Sequence, residues 1–84
     1  MNREWVLHHL TEAQADIAAT IAEMEQTPDY GYGEFWVAMQ HLYHHLNTAW
    51  NSRDSTREQV EKATDEDFNR WSQLPSDLPM MQVE

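Results

Sequence analysis

The sequence predicts an all-α fold. The expected form is a three-helix antiparallel bundle over residues 1–74, followed by an irregular, proline-containing tail over residues 75–84. Three observations predict it. Apolar residues recur at spacings of three and four through two long stretches, which is the period of an α-helix. Cap and turn signals punctuate those stretches at Asn2, Thr27–Asp29 and Asn51–Asp54. In the densest stretch Phe35 and Trp36 belong to one broad apolar set, whereas a strand would put them on opposite faces.

The first helix opens on Asn2 as its cap, with Glu4 near the positive end of the helix dipole. Val6, Leu10, Ala13, Ile17, Ile21 and Met24 then form one stripe, giving about six turns that end near Glu25. The stripe is narrow and contains alanine, which allows a neighbouring helix close. Glu12, Asp16, Glu23 and Glu25 read as a solvated face.

Thr27-Pro28-Asp29 stops this helix and prepares the next. Two starts are open. The second helix begins at Pro28 with Gly31 and Gly33 inside it, or a turn over Asp29–Gly33 precedes a start near Glu34. Each interior glycine costs about 1 kcal/mol relative to alanine, which favours the later start. Tyr30 and Tyr32 cover one end of the core in either case.

Residues 34–51 carry the strongest helical period in the chain. Successive residues turn by about 100°, so Phe35, Met39, Leu42, Leu46 and Ala49 fall together, with Trp36, Tyr43 and Trp50 beside them. The stripe is wide enough for two partners. The second helix is therefore expected to lie sandwiched between the first and the third. Glu34, His41, His45 and Thr48 line one border, and Val37 and His44 lie on the far side.

Asn51–Asp54 ends the second helix. Ser55 with Glu58 reads as a capping box, and Thr64 with Asp67 as a second. The third segment is accordingly one helix over about residues 56–73 or two short ones broken near Ala63. Phe68 and Trp71, three apart, share a face and anchor it. Beyond it, Pro75 and Pro79 exclude a regular helix. Leu78, Met80, Met81 and Val83 give this tail apolar surface to place on the bundle or on another chain.

Composition excludes several function classes. Eighty-four residues make one domain with a modest core. There is no cysteine, hence no disulfide and no thiolate zinc site, which suits a reducing cytoplasm. The N-terminal stretch lacks the apolar run of a signal peptide, and no run approaches a membrane span. Fifteen acidic against five basic residues give a net charge of −10, so nucleic acid and anionic membrane surfaces are not expected partners. No Gly-x-Ser-x-Gly, phosphate loop, Glu-x-x-His or His-Glu-x-x-His pattern is present, so an enzyme is not expected.

Two constellations remain. His41 and His45, four apart on one helix, point the same way, and His9, Glu12 or Asp16 of the first helix would have to complete a zinc or other divalent-metal site. The plainer reading makes these histidines a fringe covering the edge of the core. The doublets His8-His9 and His44-His45 diverge by about 100° and cannot chelate as units; together the five histidines form a candidate pH sensor. The second constellation is apolar. Trp5 and Val37 fall outside the expected core and, with Leu78, Met80 and Met81, are candidate contacts to another copy of the chain or to another protein. The resulting expectation is a non-catalytic interaction or self-associating module without a cofactor, with a divalent-metal protein as the alternative.

Overall fold

The computed structural model describes residues 1–81, and all regular structure within them is helical. Helix α1 spans Arg3–Gln26, α2 Tyr32–Asn51, α3 Arg57–Glu61 and α4 Asp65–Trp71. The count is four. The expected three-helix antiparallel bundle is corrected to an α1–α2 hairpin with two short helices gathered at its open end.

The caps explain where the helices begin. Asn2 accepts a hydrogen bond from the Trp5 N–H at 3.1 Å and so fixes the first turn of α1. Its own backbone N–H donates to the Arg53 carbonyl at 2.6 Å, and its side-chain amide donates to the Ser55 carbonyl at 2.9 Å. One residue thus caps α1 and ties it to the loop after α2. At the other end Tyr30 N–H donates to the Thr27 carbonyl, closing a turn in which Pro28 supplies the φ that the second position of such a turn requires.

Helix α2 starts at Tyr32, between the two expected positions. Glu34 reaches back to the Gly31 N–H at 3.0 Å, so the chain gains a carboxylate cap without a capping side chain at Gly31. Nothing lies within 4 Å of a Cβ built on Gly33, so close approach of another backbone is not the reason for that glycine. The third segment breaks where expected, and Ala63 lies between α3 and α4. The first capping box sits one residue later than Ser55: Thr56 and Gln59 bond each other's backbone N–H groups at 3.1 and 2.8 Å. The second, Thr64 with Asp67, is as expected.

Helices α1 and α2 run antiparallel, since Asn2 meets Arg53 at one end and Asp16 meets His45 further along. This hairpin is the main packing unit, and α4 packs against α2. The seam is built of small and polar residues. Ala13, Ala49, Thr48 and Ser52 are buried, with His9 and Asn47. Trp71 of α4 is the one large buried hydrophobic residue among those described. It stands edge-on to Phe68, with ring centres 5.4 Å apart, and reaches Trp5 of α1 at 6.4 Å.

Helix α2 packs against both α1 and α4, but they do not enclose its apolar stripe. Phe35 and Leu46, at the centre of its apolar stripe, are each 38% exposed. The seam with α1 runs through Ala38, His45, Ala49 and Ser52, turned roughly a quarter of the circumference away from that stripe. Helix α4 takes a third side. Asn47 donates to the Ser72 carbonyl at 2.9 Å, and Asn51 donates to the carbonyls of Trp71 and Gln73 at 2.8 and 2.7 Å. The base of the tail is pinned by Asp77, which accepts from the Trp50 indole at 2.9 Å and from Arg53 at 3.2 Å. The Arg53 guanidinium lies 3.9 Å above the Trp50 ring.

Candidate functional site

Two places in this fold bring functional side-chain types together: a histidine pair inside the hairpin seam and an apolar face along one side of it.

The pair forms because the seam passes through position 9 of α1 and position 45 of α2. His9 and His45 meet Nδ1 to Nδ1 at 3.1 Å. At that distance one nitrogen carries the proton and the other accepts it. Asp16 Oδ2 lies 3.7 Å from His45 Nε2, which favours a proton on Nε2 and leaves Nδ1 as the acceptor. His9 then donates through Nδ1, and its Nε2, buried without a protein partner, is a bare lone pair. His9 is 7% exposed, and the Trp5 ring stands edge-on to it with centres 4.4 Å apart. Burial, followed by the positive charge that His8, His45 and His44 would carry, pushes its pKa down to about 4.

The candidate metal ligands are dispersed. His9 and His45 converge, Glu12 is exposed, and Asp16 faces the opposite nitrogen of His45 from His9. His41 is exposed and lines a groove with Asp16, Glu23 and Glu34. Among the described residues no group of three or more histidine, aspartate or glutamate side chains is placed to hold a metal ion.

The candidate contact residues are also redistributed. Trp5 was expected to face outward. It is turned inward, donates its indole N–H to Ser52 Oγ at 2.7 Å and packs on His9 and Trp71. Val37 is exposed on the side of α2 away from the apolar stripe and borders a groove with Asp16, Ala19, Thr20 and Glu23 of α1. Leu78, Met80 and Met81 are exposed beyond the Asp77 anchor, and Val83 lies outside the described residues.

The apolar face was legible in the sequence as two stripes, but not as a surface. On α1, Leu10, Ile17, Ile21 and Met24 are all exposed, Ile21 by 51%. Their stripe lies about 70° from the seam, and the Phe35–Leu46 stripe of α2 lies about 80° from it in the same rotational sense. The helices are antiparallel, so equal-handed offsets put both stripes on one side of the hairpin. At the hairpin tip they meet in a groove lined by Met24, Tyr30, Tyr32 and Phe35. The short helices sit elsewhere: α4 on the Asn47–Asn51 side of α2, and α3 beside Glu4 and His8. The face carries no ionisable side chain between Leu10 and Met24 or between Phe35 and Leu46.

Among the described residues no helix is long and apolar enough to cross a membrane. Comparison with protein-family models, with curated proteins and with solved structures finds no match to this chain.

Proposed function

We propose that this chain is a non-catalytic interaction module that docks another protein surface through the apolar side of the α1–α2 hairpin. One observation carries the reading: the stripes Leu10–Ile17–Ile21–Met24 and Phe35–Met39–Leu42–Leu46 lie on the same side, where Leu10, Ile17, Ile21, Met24, Phe35 and Leu46 are exposed and Met39 and Leu42 half-buried. An uncovered apolar side on two adjacent helices is the surface that a helical partner buries. The net charge of −10 keeps the free chain dispersed, while the face itself carries no acidic or basic side chain.

The reading is tested by hydroxyl-radical footprinting of a monomeric sample, obtained by dilution or with Ile17→Glu. Met24 should oxidise at a rate comparable with the exposed Met80 and Met81, which serve as internal references. Protection of Met24 in a monomer would mean that the chain covers its own face, and the proposal would fail.

A further inference from the structure

We infer that the partner seated on the apolar hairpin face is a second copy of this chain, the two hairpins closing into a four-helix bundle. The inference rests on the docking-face reading above and names its occupant.

Area is the first argument. The chain exposes 6895 Å². A folded monomer of its 9.9 kDa is expected to expose roughly 5,200 Å². The excess is about 1,700 Å². Stable homodimers bury on the order of 1,000–2,500 Å² on each copy, so the excess is of the size that one copy contributes. The radius of gyration, 14.9 Å against roughly 12 Å expected for a compact chain of this length, shows the same incompleteness.

Shape selects the occupant. Helices α1 and α2 are about 36 and 30 Å long. A hairpin of equal length covers the whole face. The chain's own spare helices, with five and seven residues, are too short and are committed to the open end. Two-fold pairing needs a patch that complements itself. This one does: it is apolar throughout, and each copy's acidic side chains fall outside it.

The experiment is sedimentation velocity of the full chain over a wide concentration range, with isotope-filtered NOE spectra of a mixed labelled and unlabelled sample. A dimer with intermolecular contacts from the Ile17 and Ile21 methyls is expected. Ile17→Glu should weaken it at least about 100-fold, because it buries a carboxylate in the interface, while the helical circular dichroism stays unchanged. Ile21→Lys serves as the second variant if Ile17→Glu loses helix. A monomer up to millimolar concentration, with Met24 still reactive, overturns the second copy and leaves the face to a different protein. A dimer indifferent to both substitutions overturns it as well, and a monomer with Met24 protected removes the docking face itself.

Discussion

The indole N–H of Trp5 donates to Ser52 Oγ at 2.7 Å, and the Ser52 hydroxyl donates in turn to the Thr48 carbonyl. One buried hydroxyl therefore joins the first turns of α1 to the end of α2. Ser52→Ala should cost about 1–3 kcal/mol, because it removes the acceptor and strands a partly buried N–H. Trp5→Phe removes the donor as well as the bond, keeps an aromatic ring on His9, and should cost less than Trp5→Ala. Urea unfolding followed by circular dichroism ranks the three.

Acid should loosen the hairpin. His9 has a folded pKa of about 4, below its ordinary 6.5, so the unfolded chain binds more protons between those values. Its contribution is complete above pH 6.5, declines as pH falls towards 4, and changes no further below that. The added proton has nowhere favourable to go. On His9 it would sit on Nε2, which is buried without a partner, beside the charge of the neighbouring histidines. The urea midpoint should therefore fall between pH 7 and 4.5, with a smaller fall in His9→Phe. Equal slopes in the two proteins would contradict this account.

Asn47 and Asn51 dock the C-terminal end of α4 on α2 through three side-chain amide bonds to main-chain carbonyls. Asn51→Ala frees two of those carbonyls and should destabilise the docking by about 1–2 kcal/mol. Hydrogen exchange is the measurement: α4 amides should exchange faster while the centre of α1–α2 keeps its protection.

Gly33→Ala should raise stability by roughly 0.5–1 kcal/mol. The position lies in the first turn of α2, and the added Cβ meets nothing within 4 Å. A loss measured by thermal unfolding would mean that the first turn is held differently.

Much of the local structure was legible in the sequence. The Asn2 cap, the stop at Pro28, the end of α2 at Asn51, the break near Ala63 and the Thr64–Asp67 box each depend on residues within a turn of one another. Ser55 and Thr56 compete for one capping role. The choice of Thr56 goes with the Ser55 carbonyl, which accepts from Asn2, a partner 53 residues away. The histidine pair was half legible: His45 was marked by its spacing, but its partner nitrogen on His9 was fixed by the register of two helices.

By itself the sequence determined that the chain is helical, where most of its helices start and stop, and which residues make each apolar stripe, because caps and periodicity act over three or four residues; the starts of α2 and α3 were not fixed in this way. Only the tertiary structure decided which side of each helix received a neighbour. A stripe is interior only where another element lies on it, and here small and polar residues, Ala13, Ala49, Thr48 and Ser52, allowed the closer approach. The helices joined along that tight seam, and the larger residues Ile17, Ile21, Phe35 and Leu46 were left together on the open side.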